Sequence, residues 1–96
     1  MAYTVAVTWI AKPGEEDAVA AALEALVEPS RAEEGVIVYI PNRDPEDATK
    51  FFIYEQYVDE AAFRAHVASD HFQRWVTGVI APALEARERH VFVEVA

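Results

Sequence analysis

The chain has 96 residues, of which 53% are hydrophobic, and its 17 acidic and 8 basic residues give a formal charge of −9. This length suits a single domain over residues 1–96, and the negative charge disfavours nucleic acid and anionic membrane surfaces as partners. The absence of cysteine excludes disulfides and thiolate chemistry. The N-terminus does not read as a signal peptide, and no apolar run approaches the ~20 residues that span a bilayer. We therefore expect a soluble, cytoplasmic protein.

The first third of the chain predicts a strand followed by a helix. Apolar and small residues alternate over residues 3–10, which is typical of a strand. Lys12-Pro13-Gly14 breaks the extended run, and the acidic residues at 15–17 mark a helix N-terminus. We expect Pro29 to end or kink this helix.

The middle of the chain predicts two strands. Residues 36–40 form a continuous apolar run that is too short for a helix, which indicates a strand buried on both faces. Turn-forming and charged residues at 41–47 separate it from a second apolar run at 51–58. We expect an antiparallel hairpin with a long loop.

The last part of the chain predicts a broken helix and a final strand. Asp59 is a suitable N-cap, and Ser69 with Asp70 resembles a second cap that restarts the helix at a new angle. Pro82 lies near the end of the helix, and residues 91–95 form the last strand.

This order of elements predicts a ferredoxin-like α+β fold. Strand, helix, strand, strand, helix, strand is the split βαβ arrangement, a four-stranded antiparallel sheet with both helices on one face. The strands are apolar on both faces, and no further helix remains to cover the second face. We therefore expect a homodimer in which the sheet of a second copy covers it.

Short motifs spread over nearly the whole chain resemble a known family. They are Lys12-Pro13-Gly14, Ser30-Arg31 with Glu33, Gly35 and Tyr39, Tyr54-Glu55 with Tyr57 and Asp59, and finally Ala62, Phe63, His66, Ser69, His71 and Phe72. In their order and spacing they resemble the antibiotic biosynthesis monooxygenase domains, which are dimeric α+β barrels.

The resemblance implies a choice among several functions. Family members include cofactor-independent oxygenases of polyketide phenols, quinol monooxygenases, haem-degrading enzymes and an isomerase of a sugar phosphate. The preferred implication is a monooxygenase without a cofactor that oxidises a small electron-rich aromatic with dioxygen. An isomerase or tautomerase of a small carbonyl compound, and a non-catalytic dimer that binds a small apolar ligand, stay open as alternatives.

Haem degradation is disfavoured by residue identity. A resemblance to that branch would require a triad, with an asparagine on the first strand and a tryptophan and a histidine on the second helix. The first strand here has no asparagine, and if Phe63 sets the register, His66 and Val76 occupy the other two positions.

His66 is the first candidate for chemistry. It follows Phe63 by one helical turn on the face that should meet the sheet. A neutral imidazole there can act as a general base toward a phenolic or enolic proton. The alternative is a core histidine that donates to a backbone carbonyl or to Glu55.

Glu55 is the second candidate, because an unpaired carboxylate in an apolar strand is costly. It needs a partner. It can orient His66 for catalysis, or it can form a structural ion pair with Arg31 or Arg43.

A metal site is not expected. His71 follows His66 by five residues, a spacing that misses the same helical face unless the helix bends, and no third ligand is evident. Phosphorylated substrates are also disfavoured, because few basic residues are expected near the pocket and Arg64 and Arg74 should point to solvent.

Aromatic side chains are expected to exclude water from the pocket and to bind substrate. Alternation along the strand places Tyr57 on the same face as Glu55 and Tyr54 on the opposite face, without deciding which tyrosine lines the pocket. The predicted substrate-binding residues are Trp9, Tyr57, Phe63, Phe72 and Trp75.

Overall fold

The computed structural model describes residues 1–96 and confirms the ferredoxin-like α+β fold. Four strands form one antiparallel sheet in the order β2-β3-β1-β4. The strands are β1 (Tyr3–Ala11), β2 (Val36–Asp44), β3 (Asp47–Tyr57) and β4 (Leu84–Val93).

The helical elements pack on one face of this sheet, which we call the helix-facing side. The other face, the open side, has no cover within the chain. None of the helices is long and apolar enough to cross a membrane. The helices are α1 (Glu16–Arg31), α2 (Glu60–Ala68) and α3 (Asp70–Phe72), and α3 continues as a π-helical segment (Gln73–Ile80) and a 3-10 turn (Ala81–Ala83).

Helix α1 runs through Pro29, so the prediction that this proline ends the helix is wrong. The proline lies in the last turn, where few later residues depend on the lost hydrogen bond. Backbone bonds beyond it hold the end of the helix, from Ala32 N to the Glu28 carbonyl at 3.0 Å and from Glu33 N to the Ser30 carbonyl at 3.2 Å.

The hairpin of β2 and β3 has a tight turn instead of the predicted long loop. Asp44 pairs directly with Asp47, so most of the charged segment at 41–47 is strand. The Asp44 carboxylate accepts from the Glu46 amide at 2.8 Å. This side chain to backbone bond stabilises a short turn.

Strand β2 is buried on one face only, which corrects the predicted burial on both. Ile37 and Ile40 are 53% and 45% exposed, whereas Tyr39 is 3% exposed. The reason is that the helices cover only one side of the sheet, so the side chains of β2 on the open side stay exposed.

Strand β4 begins at Leu84, well before the predicted start at residue 91. It pairs with β1 from Tyr3 opposite Val93 to Ala11 opposite Leu84. Its first half is rich in charged residues, so no apolar pattern in the sequence indicates a strand there. These side chains are tolerated because β4 is the other edge strand and is exposed along almost its whole length.

The core lies between α1, the π-helical segment and the two central strands. Ile53 and Leu26 are completely buried there. Other fully or almost fully buried apolar members of the core include Val5, Val19, Ala22, Leu23, Phe51 and Ile80.

The predicted break between α2 and α3 is confirmed. The Asp59 carboxylate accepts from the Ala62 amide at 2.9 Å and caps α2. The Ser69 hydroxyl accepts from the Phe72 amide at 3.2 Å and donates to the His66 carbonyl at 2.6 Å. One serine therefore ends the first helix and starts the second.

Candidate active site

A cavity of about 450 Å³ lies on the helix-facing side of the sheet, against α2 and the π-helical segment. This volume is in the range of pockets that hold small ligands. The wall is mixed, with seven apolar or aromatic residues and five charged or polar ones. The lining residues are Val7, Trp9, Tyr39, Glu55, Phe63, His66, Val67, Phe72, Val76, Arg87, Glu88 and Arg89.

The cavity brings together most of the site residues that the sequence predicts. Tyr57 and Trp75, however, do not line it. Tyr57 is completely buried, and Trp75 lies under the Arg74 guanidinium, which is 4.8 Å from its ring. The predicted residues that do line the cavity are His66, Glu55, Trp9, Phe63 and Phe72.

His66 is buried in α2, with 2% of its surface exposed, and its ring packs against Tyr39, Tyr57 and Phe72. Its Nδ1 lies 2.7 Å from Oε2 of Glu33. Burial lowers the pKa of His66 below its ordinary value, and the hydrogen bond to Glu33 opposes this only in part. The imidazole is therefore neutral near pH 7.

The neutral ring leaves one nitrogen free. We assign the proton to Nδ1, because a carboxylate oxygen can only accept. Nε2 of His66 is then the unprotonated nitrogen, and it has no hydrogen-bond partner in the chain. A neutral imidazole with a free nitrogen at a cavity wall can accept a proton from a bound ligand.

Glu33 reaches His66 because two chain segments approach closely. Glu33 lies in the loop between α1 and β2, and Gly35, two residues later, lies against Ala62 of α2. A Cβ at Gly35 would collide with the Cβ of Ala62, so only glycine allows this contact. The partner of His66 is therefore Glu33, and not Glu55 or a backbone carbonyl as the sequence suggests.

His71 also contacts Glu33, with its Nε2 2.7 Å from the same Oε2 atom. The predicted separation of the two histidines is wrong. The helix is interrupted at Ser69, and the change of direction brings His71 close to His66. The two imidazole rings lie 5.9 Å apart.

These three residues are also the group that could hold a metal ion. One atom from each of Glu33, His66 and His71 lies within 4.8 Å of the others. Two imidazoles and a carboxylate are ligands that divalent transition metals accept. Both imidazoles already have Oε2 as a hydrogen-bond partner, so the cluster is satisfied without an ion.

Glu55 has a different environment in the middle of β3. It is 6% exposed, and the Tyr57 hydroxyl donates to its Oε1 at 2.5 Å. Burial raises the pKa of Glu55 to about 7, although the Tyr57 hydrogen bond and the charge of Arg89 oppose the rise. Glu55 can therefore gain or lose a proton near neutral pH.

The predicted ion pairs of Glu55 are not formed. Arg31 donates from Nε to the Tyr39 carbonyl at 3.1 Å, and Arg43 donates to the Glu16 carbonyl at 3.1 Å. Both arginines hold α1 against β2 and do not reach the site.

Neither Tyr54 nor Tyr57 lines the cavity. Tyr54 lies on the open side, where its hydroxyl accepts from Gln56 Nε2 at 3.2 Å. Tyr39 takes the expected place, because β2 pairs it directly with Glu55. Burial and the nearby Glu55 charge raise the pKa of Tyr39, so its phenol stays neutral.

Comparison with known proteins gives the family. The model of the family described as "Antibiotic biosynthesis monooxygenase" matches residues 2–78. The chain belongs to the antibiotic biosynthesis monooxygenase family. No protein of curated function matches the chain.

Solved structures agree with this assignment. PA3566 from Pseudomonas aeruginosa is 34% identical, with a TM-score of 0.91 over 99% of this chain and 95% of that chain. SO0527 from Shewanella oneidensis is 27% identical, with a TM-score of 0.87 over 95% and 88% of the two chains. A protein named antibiotic biosynthesis monooxygenase is 27% identical, with a TM-score of 0.89 over 98% and 99%.

The family match covers the His66 and Glu55 walls of the cavity but ends before β4. Two arginines of β4, Arg87 and Arg89, form another part of the wall. They correct the expectation that few basic residues lie near the pocket. If the last strand had been predicted to start before residue 91, its alternation would have placed both arginines on the helix-facing side with Val91.

Proposed function

We propose that this member of the antibiotic biosynthesis monooxygenase family oxidises a small electron-rich phenol or quinol with dioxygen and needs no cofactor. The observation that carries the proposal is the free Nε2 of His66 at the wall of a cavity that aromatic and aliphatic side chains share with a few charged ones. Some structural relatives are named monooxygenase, and one is described as a possible oxidoreductase.

The reaction begins with proton transfer to His66. Its Nε2 takes the proton of the phenol, and Glu33 holds Nδ1 so that the imidazolium which forms is stabilised. The phenolate is much richer in electrons than the phenol. It gives one electron to dioxygen, and the phenoxyl radical and superoxide combine at an unsubstituted ring carbon to form a peroxide.

The peroxide then decomposes with the protons already present. The His66 imidazolium returns its proton to the peroxide, and the ring carbon loses its hydrogen as a proton. The O–O bond breaks, one oxygen stays on the ring as a quinone carbonyl and the other leaves as water. Phenol and dioxygen thus give quinone and water, with dioxygen as the oxidant.

Glu55 supports this chemistry from the facing strand. Its pKa of about 7 lets it accept the ring proton as a carboxylate or donate to a ligand oxygen as an acid. Trp9, Phe63 and Phe72 supply apolar walls that exclude water from the charged intermediates.

Oxygen uptake with a panel of phenols and hydroquinones tests the proposal. We expect the variant His66→Ala to lose about 10²- to 10⁴-fold in kcat, the range for loss of a general base. His90→Ala is the matched control, because His90 is exposed on β4 outside the cavity. Equal rates for wild type and His66→Ala would remove His66 from the mechanism.

Anaerobic assays separate the rival functions. An isomerase or tautomerase would turn over a small carbonyl compound without dioxygen, using the same base. A binding protein would be stabilised against heat by an apolar ligand and would form no product. Either result, without oxygen uptake on any phenol, contradicts the monooxygenase proposal.

We also propose that a second copy of the chain covers the open side of the sheet. Ile40, Phe52 and Phe92 are 45%, 40% and 58% exposed on this face. An apolar surface of this kind favours association between copies. Light scattering should give the mass of a dimer for the wild type and of a monomer for Phe52→Lys; a wild-type monomer at micromolar concentration would contradict the proposal.

A further inference from the structure

Two arginines lie at the cavity in a protein with a large excess of negative charge. The chain has only 8 basic residues and a formal charge of −9. Arg87 and Arg89 both line the cavity. They pair across the ladder with Trp9 and Val7, whose side chains belong to the helix-facing side. A quarter of the basic residues of the chain therefore lines this one cavity.

These arginines have no polar partners in the chain. Neither forms an ion pair or a side-chain hydrogen bond with another residue. Of the four arginines outside the cavity, three have polar partners: Arg31 with a carbonyl, Arg43 with a carbonyl and Asp17, and Arg64 with Glu60. The two cavity guanidinium groups are thus free to bind something else.

The position of Arg89 links this charge to the proposed chemistry. Its guanidinium lies 5.3 Å from the Phe63 ring, and its charge acts on Glu55. Glu88 also borders the cavity, but in the ladder it lies opposite Thr8, so its side chain belongs to the open side. There its Oε2 lies 3.6 Å from His90 Nε2. The helix-facing part of β4 is therefore positively charged next to an aromatic wall.

We propose that the substrate is a small phenol bearing a carboxylate, which Arg87 and Arg89 bind while the hydroxyl faces His66. The guanidinium fork matches the two oxygens of a carboxylate and binds it more strongly than an ammonium group does. A single negative charge suits a wall that also contains Glu55 better than a phosphate dianion does. This inference rests on the proposed function for the direction of the hydroxyl.

Binding without oxygen tests the inference independently of turnover. The probes are 2,5-dihydroxybenzoate and its methyl ester, which differ only in the charge and bulk of one group. Calorimetry under nitrogen should show the acid bound about tenfold more tightly than the ester, as expected for a partly solvated charged contact. Only the acid should bind more weakly as the salt concentration rises.

Exchange of the arginines should remove this preference. We expect Arg87→Gln with Arg89→Gln to bind the two probes with affinities within about twofold of each other. Arg64→Gln is the matched control, because it removes an exposed arginine of α2 that does not line the cavity. Circular dichroism identifies any variant that fails to fold, and the salt dependence of the wild type then decides alone.

The outcomes separate this inference from the proposed function. Equal affinity of wild type for acid and ester, tighter binding of the ester, or no binding of either probe overturns the inference. Preference for the acid without oxygen uptake supports the inference and contradicts the monooxygenase. Oxygen uptake on neutral quinols that is insensitive to both arginine exchanges contradicts the inference and leaves the monooxygenase intact.

Discussion

Two carboxylates at the same site have opposite surroundings. Glu33 comes from a loop, has 18% of its side chain exposed, and accepts hydrogen bonds from His66 and His71. Glu55 comes from the middle of a strand, is 6% exposed, and accepts from the neutral phenol of Tyr57. Both are one hydrogen bond away from an aromatic ring that faces the core.

The difference shows how a partner decides which atom carries the proton. Beside Glu33, the proton stays on Nδ1 of His66 and leaves Nε2 free to accept another. Glu55 has no cation in hydrogen-bond contact, so burial dominates and raises its pKa to about 7. The first pair therefore positions a base, whereas the second is a proton donor or acceptor in its own right.

Substitution of Glu33 breaks its pair with His66, and we expect it to have the largest effect of the changes considered for these two pairs. In Glu33→Gln, the amide can donate to Nδ1, which places the histidine proton on Nε2 and removes the base. A similar change of tautomer in a serine protease triad costs about 10⁴ in kcat, and we expect a loss on the order of 10³-fold here, measured as oxygen uptake. Glu33→Asp should recover part of the rate.

A nearby exposed carboxylate provides the control for this prediction. Glu34→Gln removes the same charge one residue away, and Glu34 does not contact either histidine. Its rate should equal that of the wild type. Unchanged kcat in Glu33→Gln, or an equal loss in both variants, would show that Glu33 does not position His66.

Much of the fold can be predicted from local signals. The caps at Asp59 and Ser69 and the alternation of β1 are visible in neighbouring residues, and they are confirmed. The errors occur where burial is set by distant parts of the chain. The charged β4 and the half-exposed β2 are edge strands, and no local pattern reveals that position.

The site is less predictable for the same reason. His66 and Glu55 stand out as polar residues in apolar surroundings, and both line the cavity. Their partners depend on approach in space, because Glu33 is 33 residues from His66 in the chain. The contact requires Gly35 to touch α2, which only the assembled fold shows.

The pH dependence of stability should sharpen the comparison for Glu55. Folding raises its pKa from 4.5 to about 7, so the folded protein binds this proton more tightly than the unfolded chain does. The resulting stabilisation is fully present below pH 4.5 and is lost as the pH rises through about 7. We expect a loss of about 3 kcal/mol in the free energy of unfolding.

Urea unfolding at several pH values measures this loss. Glu55→Gln keeps a neutral side chain at every pH, so its contribution should not fall between pH 5 and pH 8. Glu85→Gln, which changes an exposed carboxylate on β4, should show the same fall in the free energy of unfolding with pH as the wild type. Parallel curves for wild type and Glu55→Gln would place the pKa of Glu55 outside this window.

Removal of the Tyr57 hydroxyl should give the smallest of these effects and should depend on pH. In Tyr57→Phe, Glu55 loses its donor, which costs about 1–2 kcal/mol of the free energy of unfolding. The hydroxyl stabilises the carboxylate more than the neutral acid, so the cost should be larger at pH 8 than at pH 5 and the pKa of Glu55 should rise further.

Tyr54→Phe is the matched control, because it removes a hydroxyl three residues away that only accepts from Gln56 on the open side. We expect a change below about 0.5 kcal/mol that is equal at both pH values, since no titrating group is its partner. A pH-independent cost in Tyr57→Phe would mean that Tyr57 donates to a Glu55 that stays in one protonation state. The second pair would then brace the strand, and His66 with Glu33 would be left as the proton-transferring pair of the cavity.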